Sequence, residues 1–228
     1  MPLAVEPDVA ILQTRLAPER GLPRPLLPSG VNAIIDDEDE AGSGPASPFA
    51  LSDPYTSIAL GRGRAMHRLF QVLPGIEPAE RASSALRYIA RMLPGLTVDE
   101  RHSLARSVVE IIDDPGFGAV FSGRAGAEVS IMGTLRLRGE DRIVSGRIDR
   151  VAVTGDQLLV VDYKSGRPPA DGAVPSRHLK QLAIYRALLQ PLYPDHSIRA
   201  ALVYPDGPVL IELDAGRLEE VFAGLDAD

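Results

Sequence analysis

GRIDRVAVTGDQLLVVDYKS, residues Gly146 to Ser165, decides the reading of this chain. Two apolar runs are joined by Thr154-Gly155-Asp156, the pattern of a β-hairpin. Each run carries one carboxylate where a buried strand normally carries an apolar side chain: Asp149 after Ile148, and Asp162 after Leu158-Leu159-Val160-Val161. Side chains alternate along a strand, so Asp162 and Lys164 are expected on one face and Tyr163 on the other. A buried carboxylate without a partner is strongly unfavourable, so a cation is expected beside each. Two carboxylates and a lysine converging on a sheet edge point to a divalent-cation site for phosphodiester chemistry. A plain Asp162–Lys164 ion pair near a strand end is the alternative reading of that tripeptide.

Working outward, the segments on either side supply the layers. Upstream, Ala127–Ile131 alternates and Arg142–Val153 does so loosely, which predicts strands. Residues 157–163 are apolar almost throughout, as a central strand covered on both faces would be. Downstream, Pro168-Pro169 and Asp171-Gly172 mark a loop. Ser176 is placed to cap a helix running to about Gln190, stopped by Pro191. Strands over about 198–204 and 208–213 and a last helix from about Ala215 follow. On that helix over 176–190, Gln181 and Tyr185 lie four residues apart and share a face.

Further upstream the period is helical. Met66, Leu69, Phe70 and Leu73 recur at i, i+3, i+4 and i+7, an amphipathic helix beginning near Ser57 and ended by Pro74-Gly75. His67 sits beside that stripe and reads as a boundary residue or a metal ligand; Arg62, Arg64 and Arg68 offer a phosphate-facing surface. Two packing helices are expected over about 77–93 and 97–112, with His102, Asp113 and Asp114 on solvated faces or at a helix end. Residues 1–56 show no persistent period, are rich in Pro, Gly and Ser, and carry the run Asp36–Glu40. They are expected to be a linker or a partner-binding arm, ahead of one domain over 57–228. The order of elements predicts a mixed α/β domain, a sheet flanked by helices.

Composition removes several classes of function. With no cysteine, disulfides, thiolate zinc sites and cysteine-held iron–sulfur clusters are excluded. No apolar run approaches the roughly 18 residues of a membrane span, and the N-terminus lacks a secretory pattern, so a cytoplasmic protein is expected. A formal net charge of -7 argues against tight unaided binding to nucleic acid. Lys164 and Lys180 are the only lysines in a chain that otherwise uses arginine, which makes an ammonium beside Asp162 informative.

Together, His67 in GRAMHRLFQVLP, Asp149 in GRIDR, Asp162 and Lys164 in VDYKSG, and Gln181 and Tyr185 in QLAIYR resemble the PD-(D/E)XK nuclease superfamily, in its RecB-like branch. The likeness covers residues 57–213 and is closest to the C-terminal nuclease domain of AddA-type helicase-nuclease subunits. It implies a restriction-endonuclease-like mixed sheet flanked by helices, with the N-terminal stretch as an extended arm. It also implies that Asp149 and Asp162 ligate Mg²⁺ or Mn²⁺, with His67 and the carbonyl of Tyr163 as further ligands. Lys164 would orient the nucleophile or neutralise developing charge. Gln181, Tyr185 and Arg147 would contact DNA or support the site; Glu128 is a weaker candidate, and Arg150 either meets phosphate or faces solvent. The implied activity is exonucleolytic cutting of single-stranded DNA during double-strand break repair, 3′ to 5′ in the full enzyme, with a helicase portion and an AddB-like subunit as partners. The chain has no G-x-x-x-x-G-K-[ST] phosphate loop, so it is expected to be a piece of such a protein or a truncated relative. A non-catalytic module of the same fold, docking a partner or holding DNA ends, is the competing reading.

Overall fold

The computed structural model describes residues 26–28, 54–121, 124–164, 166–170 and 173–227. Most of the expected arm lies outside these residues. Five strands form one sheet in the order β1-β2-β3-β4-β5: β1 (Arg124–Leu137), β2 (Glu140–Thr154), β3 (Gln157–Tyr163), β4 (Ser197–Tyr204) and β5 (Val209–Leu213). The pairs β1–β2, β2–β3 and β4–β5 are antiparallel, and β3–β4 is parallel.

The two hairpin turns follow from backbone chemistry. Gly155, first of the two loop residues between β2 and β3, has φ +61, where glycine avoids the clash of a Cβ. Arg138 and Gly139 between β1 and β2 both have positive φ, 54° and 70°. That is the requirement of a type I′ turn, which matches the right-handed twist of the strands. The parallel β3–β4 pair needs a crossover, supplied by helix α5 (Ser176–Leu189).

One sheet face is covered by α1 (Pro54–Val72), α2 (Pro78–Met92), α3 (Val98–Asp113) and the short α4 (Gly118–Phe121). Leu69, Phe70, Leu104, Val108 and Ile111 meet Leu159, Val161 and Val203 there. The other face is covered by α5 and α6 (Ala215–Ala227), with Leu182, Leu188 and Leu218 against Leu158, Val160 and Leu202. Every residue of β3 except Gln157 is buried, as its unbroken apolar run requires.

Three details differ from the sequence expectation. Helix α1 starts at Pro54, ahead of Ser57. The N-cap of α5 is Pro175, with no side-chain cap, so Ser176 begins the helix instead of capping it. Arg150 neither meets solvent nor is placed for phosphate. It is 5% exposed, its guanidinium donates to the Val120 and Phe70 carbonyls at 2.6 and 3.2 Å, and it lies over the Phe121 ring. Arg150 therefore ties β2 to the helical layer.

The sheet opens where the two key carboxylates stand. The β2–β3 ladder ends at the pair Arg150–Val161, whereas β1 stays paired with β2 from Arg124 to Leu137. Continued by one step, the ladder would set Asp149 opposite Asp162, a like-charge pair that disfavours further zipping. The amide of Tyr163 would lose its ladder partner there, and the Asp149 carboxylate accepts it at 2.8 Å. On the edge of β2 thus exposed, Leu26 makes a parallel bridge to Val144, donating to Ile143 and accepting from Ser145.

Candidate metal centre and active-site cleft

Beside this fork lies an open cleft of about 760 Å³. His67, Arg147, Asp149, Asp162, Tyr163, Lys164, Gln181 and Tyr185, the residues singled out in the sequence, all border it. They arrive from α1, β2, β3 and α5 and form two connected groups.

The first group is His67, Glu128 and Asp149, whose ligand atoms all lie within 4.8 Å of one another. His67 Nδ1 is 3.3 Å from Asp149 Oδ1 and 3.9 Å from Glu128 Oε1. Helix α1 holds the imidazole by its apolar stripe, and the Tyr163 ring meets it edge-on at 5.5 Å. Tyr163 itself stacks on Phe70 at 4.5 Å, so its ring faces the helical layer and its backbone borders the cleft. Burial opposes a proton on His67, but the Asp149 hydrogen bond and the charges of Asp149, Asp162 and Glu128 outweigh it and raise the pKa.

Glu128, a weaker candidate by sequence, belongs to this group. Its φ is 55°, uncommon for a residue with a side chain in the middle of a strand. The regular pairing Ala127–Arg150 and Val129–Ile148 skips it and Asp149. This break turns the Glu128 carboxylate toward His67 and toward Arg147 Nη1 at 3.3 Å. The sequence signal available was an acid opposite Asp149 in the hairpin register, which requires knowing the register first.

The second group is a polar chain through Lys164. Its ammonium lies 2.6 Å from Asp162 Oδ2 and donates to Gln181 Oε1 at 2.9 Å. Tyr185 donates to the Arg147 carbonyl at 2.8 Å, holding β2 against α5. Gln181 thus positions the lysine and Tyr185 positions the strand; their four-residue spacing puts both on the sheet side of α5. Among the described residues, the buried polar or charged side chains are Arg150, Asp162 and Gln181. Burial and then the Asp149 charge push the Asp162 carboxyl up to about 6, against the opposing pull of Lys164 and His67.

Two features of Asp162 fit a cation. Its Oδ2 is buried, and among the described residues the Lys164 ammonium at 2.6 Å is the group beside it. Its acidity is weakened in the way that a nearby positive charge would reverse. Three carboxylates with one imidazole form a hard, mostly oxygen donor set suited to Mg²⁺ and, with its nitrogen, to Mn²⁺. Asp162 stands outside the tight His67–Glu128–Asp149 group and closes the cleft from β3.

The chain segment Leu26–Pro28 also shapes the cleft. Leu27 and Pro28 line it, and Pro28 packs near Gly146 beneath the Tyr185 ring. No side chain fits at Gly146: a Cβ would come within 2.8 Å of Tyr185 Cε1 and 3.0 Å of Pro28. Among the described residues, no helix is long and apolar enough to cross a membrane.

A family model described as the PD-(D/E)XK nuclease superfamily matches residues 47–224. Among solved structures the chain is similar to one described as "Crystal structure of SSO0001", at 18% identity. That similarity covers 73% of this chain and 84% of the other, with a TM-score of 0.30. No curated protein matches.

Proposed function

This chain belongs to the PD-(D/E)XK nuclease superfamily, and from that premise we propose that it is a Mg²⁺- or Mn²⁺-dependent deoxyribonuclease domain acting on single-stranded DNA. The observation that carries the reading is the chain Asp162–Lys164–Gln181 lying in one cleft with His67 and Asp149, with Glu128 grouped beside those two at its rim. Asp149, Asp162 and His67 would hold the cation, with Glu128 as a fourth protein donor and the Tyr163 carbonyl in reach of the same cleft. A divalent ion held there would supply water activation and offset charge on the phosphate.

The rest is the work of the protein. Lys164 keeps two of its neighbours, Asp162 and Gln181, and its third N–H is left for a phosphate oxygen or the attacking water. Gln181 fixes that ammonium so that little reorganisation is needed as charge develops. Asp149 serves twice, binding the Tyr163 amide through Oδ2 and facing His67 through Oδ1. Tyr185 keeps the β2 backbone at the distance that leaves the cleft open.

The partners follow from charge and from family resemblance. The chain as a whole carries a net charge of -7, which argues against tight unaided binding to DNA, so a helicase portion feeding one strand would raise its local concentration. We place it as an AddA-like, RecB-like exonuclease domain over 57–228, with 1–56 as an arm whose Leu26–Pro28 stretch docks on β2 beside the cleft, acting 3′ to 5′ beside an AddB-like subunit in break repair. The test is degradation of end-labelled single-stranded DNA with Mg²⁺ or Mn²⁺ by the parent, Asp162→Ala and Lys164→Ala. Metal-dependent cutting should vanish in the first and fall by roughly 10²–10³ in the second. Lys164→Ala cutting as fast as the parent would refute the mechanism. Absence of both cutting and Asp162-dependent Mn²⁺ binding would favour a non-catalytic module.

A further inference from the structure

The metal cleft does not end at His67. A second open cleft of about 860 Å³ shares His67 and Arg147 with it and runs along the outer side of α1. Arg64, His67, Arg68 and Gln71 stand at i, i+3, i+4 and i+7, a polar stripe on the side of α1 opposite Met66, Leu69, Phe70 and Leu73. Acids outnumber bases in this chain, yet among the described residues no carboxylate pairs with Arg64 or Arg68. Both are exposed, and Arg68 donates to the Gln71 side chain within the same stripe. Arg62, by contrast, is paired with Asp206 at 3.5 Å and lies outside the cleft lining.

Two guanidinium groups one helical turn apart, neither with a carboxylate partner among the described residues and separated by a rise of about 6 Å, match successive phosphates of an extended strand. Guanidinium forks bind phosphate oxygens in pairs, so each position can hold one. The exposed Leu60 lines the same cleft and offers an apolar face to the unpaired bases. We propose that this second cleft is the backbone track for the substrate strand: Arg64 and Arg68 each hold a phosphate beyond the one being cut, with Arg147 at the junction. The assignment of the strand as DNA rests on the nuclease reading above. The track gives the site a length requirement, because only a polynucleotide reaches both the metal group and the two arginines.

The test is fluorescence anisotropy of a labelled single-stranded DNA oligonucleotide over a salt series, in chelator so that nothing is cut. Removing two phosphate contacts in R64Q/R68Q should weaken binding by about 10-fold and flatten the log–log salt slope by about 1.4. R64K/R68K should restore the slope, since charge is kept, while recovering only part of the affinity. R87Q/R91Q on α2 should match the parent. Binding by R64Q/R68Q with the parent's affinity and slope, or no binding by the parent, would overturn the track. A parent that binds through these arginines but cuts nothing with metal would sink the nuclease reading alone.

Discussion

Replacing Asp162 with asparagine should make the metal-free protein more stable, although it removes a residue assigned to the active site. Asp162 is 4% exposed, and burial, then the neighbouring Asp149, move its pKa from 3.8 to about 6. For an acid whose native pKa is raised, the folded state binds the proton more tightly than the unfolded chain. Its contribution therefore turns unfavourable as pH rises from 3.8 through 6 and stays so above. At about 1.4 kcal/mol per pH unit of displacement, the ionised carboxylate costs the native state about 3 kcal/mol at pH 8. Asparagine keeps the shape without the charge, so Asp162→Asn should gain 1–3 kcal/mol at pH 8, on the order of that cost. Urea denaturation in chelator at pH 8 and pH 4 measures it, and the gain should disappear at the lower pH. Millimolar Mn²⁺ should then stabilise the parent and leave the variant unmoved. A variant less stable than the parent at pH 8, or a gain independent of pH, would refute the account of Asp162 as a carboxylate held in strain for a cation.

Gly146→Ala should destabilise by about 1–3 kcal/mol through overpacking against Tyr185 and Pro28. Hydrogen exchange of the Ser145 amide, which donates to Leu26, should accelerate; unchanged protection would count against it. Arg150→Met should cost about 2–4 kcal/mol in thermal unfolding, because the Val120 and Phe70 carbonyls lose their donor; a loss below about 1 kcal/mol would show that water replaces it. The Asp149 hydrogen bond and the nearby carboxylates favour a proton on His67, so a cation bound through its imidazole competes with that proton. Mn²⁺ affinity measured calorimetrically should climb with pH and release protons, and His67→Ala should lose part of both. Proton release equal to the parent's in that variant would place His67 outside the ligand set.

The β2–β3 hairpin, the buried central strand and the crossover helix were legible because each is a local pattern. Asp162 and Lys164 could be placed on one face by counting residues, and Gln181 with Tyr185 by helical period. What escaped depends on register and on contacts between distant segments. Glu128 looks like any alternating strand residue until its positive φ and its position opposite Asp149 are known. Arg150, one residue from Asp149, reads as a charged surface group because nothing local announces that two orphan carbonyls await it. The Leu26 bridge was hidden for the same reason: one short segment pairing with an edge about 120 residues away leaves no periodic trace.

The site joins two halves of very different reach along the chain. The Lys164–Gln181 bond spans 17 residues, whereas the Arg150–Phe70 bond that fixes α1 to β2 spans 80. Closing the longer loop costs about 1.4 kcal/mol more entropy than closing the shorter. The lysine half can therefore form with β3 and α5 alone, while His67 joins Asp149 only once α1 has docked. Loosening of the helical layer would take the imidazole away and leave Lys164 on Gln181. Cation affinity thus reports on whether α1 is docked against the sheet, because the imidazole and the carboxylates come from different layers.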